Sequence, residues 1–166
     1  MKKLLFVLLF ILVLIFTVNY KYSKFDLTRS TSLSKETINI GENYYLGFGL
    51  QWNSLIKPTL DSIELRDTDG LVLDKNHDQL ETALFMDMQQ HTGALDESAF
   101  LEYSEKGYID YVAVNDARIE NANTLVLRMN LKDEGYLNTG STINIRYRIL
   151  GIPKQQSIWL NGFLEQ

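Results

Sequence analysis

Two hydropathy patterns divide the chain. Leu4 to Val18 is apolar except for Thr17, and a segment apolar all round predicts a helix buried on every side, as in a membrane. From residue 37 the apolar positions fall into period two, the spacing that sends alternate side chains to opposite faces of a strand. Thr37-Ile38-Asn39-Ile40, closed by Gly41, predicts a short first strand. In "NYYLGFGLQWN", residues 43 to 53, Leu46, Phe48, Leu50 and Trp52 alternate with Tyr45, Gly47, Gly49 and Gln51. That predicts a strand with large apolar groups on one face and glycine on the other.

The same reading continues down the chain. "PTLDSIELRDTDGLVLD", residues 58 to 74, predicts a hairpin whose turn is Asp67-Thr68-Asp69-Gly70. Leu80 to Met88 fits a strand or a short helix equally well. Asp96 to Tyr103 predicts a short helix with Asp96 as its N-cap. Tyr108 to Val114 is rich in β-formers, and Asn121-Ala122-Asn123 marks a turn. Strands are predicted over Thr124 to Leu131, Ser141 to Leu150 and Ser157 to Leu160, the second ended by Gly151-Ile152-Pro153. Seven or eight short strands and one brief helix predict a mainly β fold, an antiparallel immunoglobulin-like β-sandwich, with a small β-barrel as the alternative.

The N-terminus changes the picture of where this domain sits. Met1-Lys2-Lys3 before the apolar run matches the charged and apolar regions of an export signal. No small residues stand in a cleavage arrangement around Val18-Asn19-Tyr20-Lys21-Tyr22, which predicts an uncleaved single-pass anchor carrying Leu4, Leu9, Leu14 and Val18, with the domain outside. A cleaved, secreted form is the alternative. Fifteen helical residues rise ~22 Å against a hydrocarbon core of roughly 30 Å, so the span must borrow Asn19 and Tyr20 or thin the bilayer. The expected organisation is an anchor over residues 1–19, a polar tether over 20–35 and an extracytoplasmic domain over 36–166.

Composition narrows the chemistry. At 166 residues and 45% hydrophobic content the chain has room for one domain with a core. It contains no cysteine, which excludes a disulfide framework, a thiolate metal site and a lipidated cysteine. Residues 36–166 keep ten of the sixteen basic side chains and twenty of the twenty-one acidic ones, a net charge of −10. A surface of that sign repels nucleic acid and anionic lipid headgroups, so neither is expected to bind over the whole surface and no nucleic-acid partner is expected.

Candidate sites are sparse. A lone Gly47-Phe48-Gly49 followed by strand pattern lacks the third glycine and the helix of a phosphate-cradling loop. It is read instead as space for a bulge or a neighbouring ring. Aligned as an EF-hand loop, Asp67-Thr68-Asp69-Gly70 puts Leu65 at the first position and Asn76 at the twelfth, so both essential carboxylates are missing. Asp67, Asp69 and Asp74, with Asp78 nearby, stay as candidates for a weak cation site. If the strands at 124–131 and 141–150 pair, Arg128, Arg146 and Arg148 share one outer sheet face, a candidate partner surface or simply a set of ion-paired side chains. Residues 61 to 110 carry thirteen carboxylates against Arg66, Lys75 and Lys106, either a solvated face or a docking surface for a basic partner. His77 and His91 are isolated in polar loops, and neither a GxSxG elbow nor HExxH occurs.

The order of apolar anchor, polar tether, "YYLGFGLQWN", "KPTLDSIELRDTDGLVL" and "IRYRILG" resembles small uncharacterised envelope proteins of Gram-positive bacteria. The resemblance implies a single-pass extracytoplasmic β-sandwich and brings no catalytic residues. The expected function is a membrane-tethered binding module of the cell envelope with an unidentified envelope-protein partner and no cofactor. A small-ligand or calcium-binding domain, and an envelope-polymer hydrolase, are the alternatives.

Overall fold

The computed structural model describes residues 2–136 and 140–165. Its first element is the helix α1, Lys2–Tyr22, 21 residues long. Leu9, Leu14 and Val18 stand exposed along it, with Phe6, Val7, Phe10 and Val13; the Leu4 side chain lies outside the described residues. Among the described residues no helix is long and apolar enough to cross a membrane. The side chains of Leu4, Leu5, Leu12 and Ile15, four apolar positions of α1, are outside that description.

The rest of the chain is mainly β. The larger sheet contains β1 (Phe25–Arg29), β3 (Asn43–Trp52), β6 (Leu80–Asp87), β7 (Ala94–Asp96), β8 (Tyr111–Ala113) and β9 (Ala122–Leu131). Its order is β1-β3-β9-β6-β8, and β1 and β7 share the outer edge of β3, on Gly49–Trp52 and Tyr44–Leu46 respectively. The smaller sheet contains β4 (Thr59–Asp67), β5 (Val72–Leu73), β10 (Ser141–Ile149) and β11 (Ile152–Leu160), in the order β11-β10-β4-β5. A short parallel pair joins β2 (Leu33–Ser34) to β12 (Leu164–Glu165). The described residues thus form twelve strands rather than seven or eight, the excess being strands of two to five residues too short to leave a periodic signal.

The two large sheets are antiparallel and face one another across the main core. Leu46, Phe48, Leu50, Met86, Leu125, Leu127 and Met129 from one meet Leu60, Leu65, Ile143, Ile145, Tyr147 and Ile149 from the other. β10 alternates buried and solvated residues as its period-two pattern predicts. β9 does not. Its second face is also covered, because the helix α2 (Glu97–Glu105) and Tyr111 close over Val126 and Tyr45 in a second, smaller cluster. Asp96 caps α2 as expected, its carboxylate accepting from Ala99 N at 2.8 Å.

Three expectations are corrected by this arrangement. Residues 20–35 are not a tether: Phe25 is buried in the main core, β1 pairs with β3, and β2 pairs with β12. Phe25 and Leu27 alternate with Asp26 and Thr28, a strand pattern hidden among lysines and serines. The run 37–40 is not a strand. A 3₁₀ turn at Lys35–Thr37 leads into it, and Asn39 N donates to the Tyr44 hydroxyl at 2.9 Å instead of to a sheet. Third, β9 and β10 do not pair. β9 ends in the larger sheet and β10 begins in the smaller, and packed sheets lie roughly 10 Å apart, a gap that a short connection spans easily.

Candidate functional site

The predicted arginine face is therefore divided. Arg128 lies on the larger sheet, and Arg146 and Arg148 lie on the smaller. Each has a carboxylate partner: Glu81 at 3.4 Å from Arg128, Glu64 at 3.7 Å from Arg146, and Asp61 at 2.7 Å from Arg148. These pairs are half exposed, where salt and side-chain entropy leave little net stabilisation. They neutralise the basic groups locally, so no contiguous cationic patch forms from the three.

The acidic turn behaves as a turn. Asp67 Oδ1 accepts from Asp69 N at 2.9 Å and Leu71 N at 2.8 Å, and Leu65 and Leu73 pair across the hairpin. Asp74 Oδ1 accepts from Asn76 N at 2.7 Å. Among the described residues no group of three or more acidic or histidine side chains is placed to hold a metal ion, so Asp67, Asp69 and Asp74 are not brought together as ligands. The histidines have separate partners: His77 Nδ1 accepts from Leu80 N, and His91 Nδ1 lies 2.9 Å from Tyr108 O.

The protein's own chain fills the space at both glycines, Thr92 backbone at Gly47 and Thr28 and Arg29 at Gly49. Asp87 is buried, and its two oxygens accept from the backbone N–H groups of Gln89, His91, Thr92 and Asp110 and from the Thr92 hydroxyl. This folds residues 88–92 so that Gly47 N donates to Gly93 O at 2.7 Å, and a Cβ on Gly47 would sit 2.1 Å from Thr92 O. Opposite Gly49, β1 carries a bulge between Leu27 and Arg29.

The most elaborate polar arrangement lies where α1 meets the domain, and sequence reading passed over it. β11 is an edge strand, and its side chains reach across to the chain between α1 and β1. Gln156 accepts from Phe25 N at 2.8 Å and donates to Phe25 O at 2.5 Å, so its amide takes the place of a strand partner. Lys154 donates from Nζ to Tyr20 O at 2.6 Å, Ser23 O at 2.9 Å and Ser23 Oγ at 3.3 Å. A cation on the last carbonyls of a helix satisfies orphan acceptors and complements the helix dipole. Burial depresses the Lys154 pKa below the ordinary lysine value. The same ammonium lies 4.8 Å from the centre of the Tyr20 ring, whose hydroxyl donates to Pro153 O at 3.3 Å. Beneath this seam Phe25, Trp52 and Tyr147 pack with centroids 4.8 to 5.5 Å apart, and the Tyr147 hydroxyl donates to Ser23 O. The sequence signal for the seam is the Phe25 and Leu27 alternation; its polar half has none, because Lys154 and Gln156 fall between the strands predicted at 141–150 and 157–160, whereas β11 runs from Ile152 to Leu160.

The opposite end of the sandwich is acidic. β4 and β10 run from Thr59 and Arg148 near the seam to Asp67 and Ser141 at the far end. There the turns carry Asp69, Asp78 and Glu134, all exposed. An open cavity of about 630 Å³ beside them is lined by Lys35, Glu36, Ile38, Asn39, Ile40, Leu131 and Glu134. No protein-family model matches the chain, and no curated protein or solved structure is similar to it.

Proposed function

We propose that this chain is an extracytoplasmic binding module of the cell envelope, held at the membrane by α1 as a single pass with the domain outside. In this reading it presents its acidic far end to a cationic envelope partner. The observation that carries it is the division of the molecule: an exposed apolar helix clamped to one end by Lys154 on the Tyr20 carbonyl and by the Tyr20 hydroxyl on Pro153, and exposed carboxylates on the turns at the other. Within the 21 residues of α1 the apolar run from Leu4 to Val18 rises ~22 Å, so in this reading the helix ends reach the interface or the bilayer thins around them. Charge complementarity steers a partner and fixes its orientation, which is the use a surface with an excess of carboxylates supports. The sandwich is read as immunoglobulin-like, supported by two packed antiparallel sheets between which the chain crosses at β3–β4, β5–β6 and β9–β10. The reading assigns binding and no reaction.

In-cell crosslinking of the tagged full chain, followed by membrane solubilisation and affinity capture, tests it. A recurrent partner is expected, lost when Asp69→Lys, Asp78→Lys and Glu134→Lys are combined and kept when Arg146→Glu and Arg148→Glu are combined. Capture indifferent to the acidic reversals would overturn the acidic-end reading. One observation favours a second reading, a small-ligand site: the cavity at Ile38, Ile40 and Leu131 combines apolar walls with Lys35 and Glu134. A compound that raises the melting temperature of the native protein and fails to do so after Ile38→Asp would support that reading.

A further inference from the structure

We infer that the domain also enters the bilayer surface at two tips beside α1, Leu55 between β3 and β4 and the turn Leu150-Gly151 with Ile152 at the start of β11, so that phospholipid holds it at three points. This rests on the anchor reading above. The direction of the chains carries it. Along β11, Gln156 bonds Phe25, Lys154 bonds Ser23 and Tyr20, and the Pro153 carbonyl meets the Tyr20 hydroxyl. Moving from residue 156 toward 153 therefore moves backward along the chain from Phe25 to Tyr20 in the last turn of α1, a direction that carries the turn at Leu150-Gly151 toward the side of the helix N-terminus. The β3–β4 loop descends the same way: Trp52 pairs with Phe25, Asn53 N donates to Lys24 O at 3.0 Å, and the Ser54 hydroxyl lies 3.5 Å from Asn19 Oδ1. Leu55 is the next residue.

Both tips are apolar and unburied, with Leu55 88%, Leu150 68% and Ile152 41% exposed. Leu150 has φ of 50° and Gly151 of 82°, the paired left-handed residues of a type I′ hairpin turn. Asn, Asp or Gly suits the first of these positions, so leucine there is chosen against both turn geometry and solvation. A bilayer accounts for that choice, because the tips flank a helix that is itself exposed and apolar, and a single medium then covers all three. Lys21, Tyr22 and Lys24 follow on the domain side of the tips, residue types that suit the headgroup region.

The chain has no cysteine, so single cysteines label cleanly. Leu55→Cys, Leu150→Cys, Asp69→Cys and Leu14→Cys, each in the full chain, would carry a nitrobenzoxadiazole label in nanodiscs of phosphatidylcholine and phosphatidylglycerol, with and without acyl-chain nitroxide lipid. Asp69 lies near the far end of β4 and serves as the water reference, and Leu14 reports α1. The expected result is blue-shifted emission at 55 and 150, with nitroxide quenching at least about twofold above that at 69. Labels at 55 and 150 as wet as that at 69, with the label at 14 in lipid, overturn the inference and leave the anchor standing. Burial at 55 and 150 without nitroxide quenching also overturns it, since a protein surface then covers the tips. A wet label at 14 removes the anchor reading and the inference with it.

Discussion

At position 47 a methyl group has nowhere to go. The Thr92 carbonyl would lie 2.1 Å from it, and that carbonyl is held from behind by Asp87, whose oxygens bind the Thr92 amide and hydroxyl. Neither backbone yields without breaking this network. Gly47→Ala is therefore expected to cost about 3 kcal/mol, at the upper end of overpacking effects. Gly93→Ala, where the added carbon meets nothing within 4 Å, should be near neutral. Urea unfolding of the two variants separates a backbone-approach role from a general dislike of alanine. Glycine on one face of this strand was legible from the alternation of Leu46, Phe48 and Leu50. What fills the space was not, since Thr92 lies 45 positions away and reaches Gly47 only through the fold.

At the scale of the element, the polar segment after α1 is part of the domain. Phe25 packs against Trp52 and Tyr147, and β1 completes the outer edge of β3. A chain beginning at residue 36 loses this strand, β2 and the ring that covers Trp52. It should be destabilised by at least about 3 kcal/mol, the scale of deleting one buried aromatic side chain. A chain beginning at residue 23 keeps both strands and should unfold cooperatively at a clearly higher denaturant concentration, measured by far-ultraviolet circular dichroism. Equal stability of the two would mean that β1 adds nothing. The long strands β3, β9 and β10 were legible because each carries at least four large apolar residues at period two, and β4 because Ile63 and Leu65 alternate just before the Asp67 turn. The run 20–35 was misread because a five-residue strand shows only two apolar repeats.

At the scale of the whole molecule, both cores hide phenols. Burial pushes Tyr45, Tyr111 and Tyr147 up to about 12, with Glu97 adding to the first and Asp87 to the second. Their ordinary value is 10.0. Between about pH 10 and 12 the folded state then holds protons that the unfolded state has released, so stability falls as pH rises through that window. Lys154 acts in the opposite sense. Its depressed value means that the charged form is disfavoured by folding, a penalty relieved as pH rises toward its ordinary 10.5. Above that point the phenols act alone. Urea midpoints measured at about pH 9 and about pH 11.5 should therefore fall, and a chain with Tyr111→Phe and Tyr147→Phe should lose less over the same interval. An unchanged difference between the two chains would mean that these phenols do not govern the alkaline limit. The arginine surface was lost at this same scale: Arg128 and Arg146 are equivalent positions in two alternating patterns, and only the assignment of β9 and β10 to different sheets separates them.

By itself the sequence determined the features set by local periodicity and backbone chemistry. These are the apolar N-terminal run, four of the five long strands, the Asp96 cap, the Asp67 turn and the sign of the charge, because each depends on neighbours within a few residues or on composition alone. Only the tertiary structure decided which sheet each strand joins, what occupies the glycine face, and that Lys154 clamps the end of α1 while Gln156 holds the start of β1. Those outcomes depend on pairings between residues far apart in the chain, such as Phe25 with Gln156. A side chain offered to such a pairing is, in sequence, the same polar residue as one offered to water.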